Sequence, residues 1–122
     1  MAVGTHYSNV MIIQSAVSLA EFHAEKMSKI MIAGGHYLFA GLNCFEPGQD
    51  HSAHVHEEQD KVYLVLAGEG EAVVGEHKDL VGPGALVFAP SGIVHSMRNV
   101  SETRRFVVVT IMGPPPAHAK TK

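Results

Sequence analysis

The sequence predicts an all-β fold, a sandwich or barrel of short strands that begins near Ile30. Two observations lead to this prediction. Short segments rich in β-branched and apolar residues follow one another at the spacing of sandwiches and barrels. Glycine and proline punctuate them, and these residues end strands because glycine accepts positive φ and proline fixes φ and cannot donate a backbone hydrogen bond.

Nine segments satisfy the strand criteria, and each is bounded by a turn signal. They cover residues 29–33, 37–45, 51–56, 61–67, 69–75, 77–81, 85–89, 95–99 and 106–112. The turns fall at Gly68, Gly75, residues 82–84 and residues 90–92. We expect these strands to pair into antiparallel sheets around one core.

The two ends of the chain differ from this pattern. Residues 15–30 mix helical and alternating spacing, which predicts a short helix or turn followed by an edge strand. The last residues include three consecutive prolines, which forbid a central strand and favour an extended polyproline conformation. We therefore predict a single domain over residues 1–113, with a short N-terminal extension, and a flexible proline-rich tail over residues 114–122.

Composition narrows the class of protein. The 122 residues fit one domain with a real core, and 46% hydrophobic with 17% charged residues indicates a globular chain. No apolar run approaches the roughly 18 residues of a membrane span. The start lacks a signal-peptide pattern and Cys44 is the only cysteine, so a cytoplasmic location is expected. A net charge of −3 with scattered Lys and Arg argues against nucleic-acid binding.

The first chemical signal is a pair of histidines. His54 and His56 are two residues apart, so on a strand both rings point to one face and Val55 points to the other. An acidic and polar cluster over residues 57–60 follows and offers an oxygen ligand. By itself, such a pair also fits exposed histidines in an acidic loop.

The second signal is the stretch GALVFAPSGIVHSMRN, residues 84–99. It has glycine, five residues, proline, one residue, glycine, two residues, histidine, three residues and asparagine. From ordinary residue frequencies, a chance match of these five positions is on the order of 10⁻⁴. Accident is therefore a poor explanation.

These two stretches resemble the two motifs of the cupin superfamily. The second motif matches completely, and in the first Gly48, His54, His56 and Gly68 fall at the family spacing. The resemblance covers about residues 38–112 and implies a small single-domain cupin, a conserved β-barrel (double-stranded β-helix, jelly-roll type) of two antiparallel sheets. It also implies that His54, His56 and His95 bind a metal inside the barrel.

The chemistry of imidazole agrees with this assignment. Its nitrogens bind divalent Fe, Mn, Ni, Cu and Zn at about 2.0 to 2.2 Å, and three of them leave coordination positions open for a substrate. The sequence does not distinguish among these metals.

The chain departs from the family at the motif's glutamate. Counting back from Gly68, that position holds Lys61, whereas Asp60 satisfies the shorter spacing from His56 but lies one residue too far from Gly68. Because side chains alternate faces, Asp60 would point away from the metal unless a bulge absorbs the extra residue. Two models follow: three histidines with Asp60, or three histidines completed by water.

Lys61 itself has two interpretations. It is expected to point outward and pair with an acid; alternatively, its ammonium lies over the site and holds an anionic ligand. Tyr63 alternates with Lys61 and is either a core residue or a phenol that donates a hydrogen bond or a proton in the cavity. Lys61 and Tyr63 are the candidate catalytic residues.

The remaining candidates have simpler interpretations. His51 is expected at the surface or behind the metal ligands, Met97 in the cavity lining, and Cys44 in the core as a small hydrophobe. The other histidines have no partner at ligand spacing and are expected in solvent: His6, His23, His36, His77 and His118.

Fold alone does not determine the activity. The first hypothesis is a metal-dependent, dioxygenase-like oxidoreductase whose small substrate chelates the metal in a mostly apolar cavity. The alternative is a non-catalytic metal- or metabolite-binding sensor or regulatory module, and a third is a barrel whose histidines only form hydrogen bonds. A homodimer is expected, because the apolar edge segment KIMIA, residues 29–33, invites pairing with a second copy.

Overall fold

Two antiparallel β-sheets form the protein in a computed structural model that describes residues 13–115. A 3-10 turn at Ala16–Leu19 precedes the strands, which are β1 (Ser28–Gly34), β2 (Phe39–Phe45), β3 (Asp50–His54), β4 (Asp60–Ala67), β5 (Gly70–Val74), β6 (His77–Val81), β7 (Leu86–Ala89), β8 (His95–Asn99) and β9 (Phe106–Gly113). The strand orders are β1-β2-β9-β4-β7 and β3-β8-β5-β6. The predicted all-β barrel, its nine strands and the turn before an edge strand are confirmed.

The core lies between the two sheets. Alternation along β4 directs Tyr63 and Val65 inward, and they pack with Phe45 and Phe106 of the larger sheet and Met97 of the smaller one. The Phe45 and Phe106 ring centroids are 5.3 Å apart. Full burial of such a side chain contributes about 1.5 to 3 kcal/mol, so this layer holds the sheets together independently of the histidines.

The N-terminal segment covers part of the outer face of the larger sheet. Phe22 lies in a second apolar cluster whose buried members include Leu42 and Cys44. The Arg105 guanidinium carbon lies 4.2 Å from the Phe22 ring centroid, and Arg105 also pairs with Glu46 at 3.2 Å. Cys44 is fully buried, which raises the pKa of its thiol and confirms its prediction as a small core residue.

The asparagine that closes the second motif anchors a loop. Asn99 is fully buried, and its side-chain amide donates to the carbonyl oxygens of Phe45 at 3.2 Å and Arg104 at 2.8 Å. Its side-chain oxygen accepts from the Ser101 backbone N–H at 2.9 Å. This asparagine therefore fixes the β8–β9 connection and has a structural role.

Some predictions concern residues that the structure does not describe. His6, His118 and most of the proline-rich tail lie outside the described range, and the boundary between the domain and its tail stays a prediction. Across residues 13–115 no helix has both the length and the apolar content to cross a membrane.

Candidate metal centre

Strand pairing brings the histidines of the two motifs together. His54 on β3 lies opposite His95 on β8, and their ring centroids are 4.1 Å apart. The His56 ring lies 4.8 Å from that of His54 and 5.5 Å from that of His95. One potential ligand nitrogen from each of the three lies within 4.8 Å of the others. The structure thus places all three predicted residues in one group.

The position of His56 differs from the prediction in one respect. Strand β3 ends at His54, so His56 lies in the following loop and not on the strand. That loop is bound to the turn of the second motif: the Gly92 N–H donates to the His56 carbonyl oxygen at 2.9 Å. Gly92 has a φ of +81°, which only glycine adopts easily. The glycine of one motif thereby positions a histidine of the other.

Hydrogen bonds orient two of the rings for metal binding. The Nδ1 of His54 donates to the Ser52 carbonyl oxygen at 2.8 Å, and the Nδ1 of His95 donates to the Ile93 carbonyl oxygen at 3.0 Å. A carbonyl oxygen only accepts, so Nδ1 carries the proton and Nε2 keeps a free lone pair. Both Nε2 atoms are buried, and neither has a hydrogen-bond partner within residues 13–115. Two orphaned acceptors beside a third imidazole fit a divalent transition metal.

Asp60 does not belong to this group. Its side chain is exposed, and its carboxylate accepts a hydrogen bond from the Ser91 backbone N–H at 3.0 Å. The register irregularity in β4 falls between Val65 and Ala67, beyond Asp60, and does not turn that side chain inward. In the structure Asp60 stabilises the turn of the second motif.

Lys61 points inward, and the expectation of an outward side chain is wrong. It is 5% exposed, and its Nζ lies 5.0 Å from the Tyr63 ring centroid. It shares the inward face of β4 with Tyr63, because side chains two residues apart on a strand lie on the same side. Burial, with repulsion from Lys29, lowers the pKa of Lys61 to about 8.

Tyr63 places a hydroxyl in the same interior. The residue is 1% exposed, and its ring centroid lies 6.1 Å from that of His95. Its hydroxyl is buried, with no hydrogen-bond partner in the described range of the chain. Burial raises the pKa of the phenol, so it stays protonated and can donate a hydrogen bond. Both candidate catalytic residues therefore lie on the histidine side of the barrel interior.

His51 packs against a candidate ligand, which agrees with the second of its two predicted positions. Its ring centroid is 4.2 Å from that of His54, and its Nδ1 is buried without a hydrogen-bond partner in the described part of the chain. Strict alternation would place His51 and His54 on opposite faces, but the β3–β8 register shifts between them. The sequence carries no signal for this shift. His23, His36 and His77 are exposed, as expected. Met97 was expected in the cavity lining, but it is buried in the core layer between the sheets.

A cavity of about 710 Å³ adjoins the histidines. Its lining includes His51 and His54 from β3 and two lysines, Lys26 and Lys29, together with Asp50. The surface of this cavity is still more apolar than polar, as expected, although these charged side chains reach it. The lysines come from the segment around the start of β1, which the sequence does not connect with the motifs.

The imidazoles are held in their neutral form. Burial, with repulsion from nearby cationic groups, lowers the pKa of His51 to about 3 and that of His56 to about 4. Burial also lowers the pKa values of His54 and His95, although their backbone hydrogen bonds oppose this effect. Neutral imidazole is the form that binds metals. The histidines of the folded chain therefore stay available as ligands at pH values below the usual pKa of imidazole.

These shifts predict acid sensitivity of the metal-free protein. An unfolded chain protonates its histidines near pH 6.5, whereas the folded chain resists protonation of His56 until about pH 4 and of His51 until about pH 3. The unfolded state then binds more protons, so the free energy of unfolding falls as the pH drops below 6.5. Urea unfolding of metal-free protein at pH 7.5, 6.5, 5.8 and 5.2 measures this decline.

A doubly substituted protein provides the control. His51→Gln with His56→Gln removes two of the shifted groups, so its decline between pH 6.5 and 5.2 should be shallower. Carboxylates contribute little to the change in stability between pH 6.5 and 5.2, because their usual pKa values are about 4. Equal slopes for the two proteins would contradict the prediction.

Comparisons with known proteins agree with the geometry. A family model described as "Cupin domain" matches residues 41–112. The crystal structure of TT1209 from Thermus thermophilus is 38% identical, with a TM-score of 0.82, and the match covers 87% of this chain and 100% of that one. KdgF from Halomonas sp. shares the fold at 19% identity and a TM-score of 0.72, over 83% and 92% of the two chains.

One curated relative matches part of this sequence, and no function is given for it. It is an uncharacterized protein from Aquifex aeolicus, 38% identical over 61 residues. These residues make up 50% of this chain and 49% of the relative, so the match spans about half of that protein.

Proposed function

This chain belongs to the cupin superfamily, and we propose that it is a metal-dependent, dioxygenase-like oxidoreductase acting on a small chelating molecule. His54, His56 and His95 would hold a divalent transition metal, either Fe, Mn, Ni, Cu or Zn. Such an ion supplies Lewis acidity or oxygen activation at positions left open to the substrate. The resident ligands in this proposal are the three histidines without Asp60.

One observation carries the proposal. The Nε2 atoms of His54 and His95 are buried, lack a partner among the residues that the structure describes, and are fixed as acceptors by their Nδ1 hydrogen bonds. A buried polar atom without a partner costs about 1 to 3 kcal/mol, and metal coordination removes that cost. A barrel in which the histidines served only to form hydrogen bonds would leave these atoms unsatisfied.

The chain's own residues have defined roles in this proposal. The protonated Tyr63 hydroxyl donates a hydrogen bond to a substrate oxygen, because it has no partner among the described residues. The inward Lys61 presents a cation to the same space. The apolar layer around Phe45 and Phe106 closes the barrel behind them and excludes water.

Two measurements test the function. Elemental analysis of freshly purified protein should find about one transition metal per chain. Dioxygen consumption by the Fe(II)-loaded protein is then followed with diketones, catechols, thiols and 2-oxo acids, and turnover should require the metal. Tight binding of a metabolite without turnover of any substrate would instead favour a non-catalytic sensor or regulatory module, and absence of metal would contradict the metal-dependent enzyme.

We also propose a cytoplasmic homodimer. The outer face of β4 and β7 carries exposed apolar side chains, with Leu86 65% and Phe88 53% exposed, and β1 forms an edge of the same sheet. Pairing with a second copy would bury such surface. Light scattering should give twice the 13.1 kDa chain mass, and a monomer at micromolar concentration would contradict this assembly.

A further inference from the structure

We infer that the ligand of this centre is a small carboxylate. Lys61 and Tyr63 hold its anionic group, and another oxygen atom of the same molecule faces the histidines. The inference rests on the proposed metal site and narrows its ligand from chelators in general to anions. It depends on the position of one residue, the inward Lys61.

Lys61 reverses the charge at the position where the first motif has its glutamate. The residue seven places before Gly68 is a glutamate in the motif that this chain resembles, and here it is a lysine 5% exposed. The side chain points into the barrel, so a cation occupies space where the motif would place an anion. A divalent ion and neutral imidazoles supply no negative charge to balance it.

The described part of the chain provides no counter-ion for this ammonium. Among residues 13–115 the ion pairs involve Glu71 and Glu46, and Lys61 takes part in none of them. Asp60, the adjacent carboxylate, is exposed and accepts from the Ser91 N–H. An unpaired buried charge is costly, and a bound anion would remove that cost.

The adjoining cavity is also basic. Lys29 lies close enough to contribute to the lowered pKa of Lys61, and it lines the cavity of about 710 Å³ together with Lys26. Asp50 is the one carboxylate that the described residues contribute to that lining. Beside His51 and His54, two lysines against one carboxylate therefore make the lining of this cavity favour anions over cations.

Tyr63 completes the set of donors. Its buried hydroxyl has no hydrogen-bond partner from residues 13–115, and the Lys61 Nζ lies 5.0 Å from its ring centroid. An ammonium and a phenol on one face of β4 match the oxygens of a carboxylate, which accept hydrogen bonds and donate none.

Calorimetry with a matched pair of probes tests the inference. Pyruvate and pyruvamide have nearly the same shape and both chelate metals, but only pyruvate is an anion. Zn(II)-loaded protein should bind pyruvate at least about 10-fold more tightly than pyruvamide, since charge-assisted hydrogen bonds are the stronger kind. In Lys61→Met the ratio should fall several-fold with the metal content unchanged, because only the attraction of zinc for the carboxylate remains, and Lys61→Arg should restore the preference for pyruvate.

Lys78→Met is the control for net charge. Lys78 has a side chain 64% exposed on β6 and pairs with Glu71, so its loss should leave the ratio as in the unmodified protein. Lys61→Gln serves as the neutral variant if Lys61→Met does not fold.

Three binding results would overturn the inference. They are equal binding of the two probes by the loaded protein, failure of pyruvate to bind, and an unchanged ratio in the neutral Lys61 variants. Loss of zinc from those variants would also overturn the inference, because Lys61 would then be a metal ligand. The proposed metal site would still be supported by that result. Failure of the unmodified protein to bind any metal would instead refute the proposed function.

Discussion

Replacing His54 and His95 together with alanine should abolish metal binding and leave the barrel folded. These residues supply two of the three candidate ligand nitrogens, and loss of residues that merely support metal ligands already costs 10- to 100-fold in affinity. We therefore expect a weakening of more than about 100-fold. Metal content after gel filtration and competition with a chromophoric chelator measure this loss.

The fold should survive because its core is elsewhere. Phe45, Val65, Phe106 and Val108 pack between the sheets and do not depend on the imidazoles. Circular dichroism and a cooperative thermal transition should therefore persist in the double variant. His77→Ala is the control, since His77 is exposed on β6, outside the histidine group. Stoichiometric metal in the double variant would refute the ligand assignment.

Gly68→Ala should produce the largest loss of stability among the substitutions considered. Gly68 has a φ of +82°, a conformation costly for alanine, and an added Cβ would lie 2.9 Å from the Phe106 Cα and closer still to the Arg105 carbonyl oxygen. Backbone atoms cannot move aside as a flexible side chain does. Strain and overpacking together suggest a loss of roughly 2 to 5 kcal/mol in the free energy of unfolding, measured by urea denaturation.

Two other glycines distinguish the effect of conformational strain from that of the close backbone contact. Gly48 has a φ of +79° but open space around the added Cβ, so Gly48→Ala should cost only the conformational strain, about 1 to 2 kcal/mol. Gly82 has neither feature, and Gly82→Ala should change stability by less than about 0.5 kcal/mol. A Gly68 variant no less stable than the Gly48 variant would contradict the role assigned to the close backbone contact.

Local periodicity in the sequence predicted the strands, whereas the resemblance of two stretches to the cupin motifs implied the three histidines. Strand boundaries agreed to within a few residues, since glycine and proline end strands through their own backbone restrictions. The second motif predicted the position of His95, because its turn must direct the next strand back across the barrel. The motif asparagine, Asn99, was matched by spacing alone, and its hydrogen bonds explain its presence.

Other features of the site depend on contacts between distant segments. The register shift that brings His51 beside His54 arises from pairing with β8, and alternation within β3 does not reveal it. The hydrogen bond that occupies the Asp60 carboxylate requires Ser91, which is 31 residues away in sequence. Likewise, the lysines at the cavity come from the segment around β1.

The sequence by itself determined that the chain forms short antiparallel strands around one core, with three histidines at the spacing of a cupin metal site. Only the tertiary structure decided that Lys61 faces this site and that Asp60 does not. A one-residue difference in register exchanges the two faces of a strand, and long-range sheet pairing sets that register. The charge of the site, and with it the class of ligand we infer, therefore depends on packing that local sequence patterns do not encode.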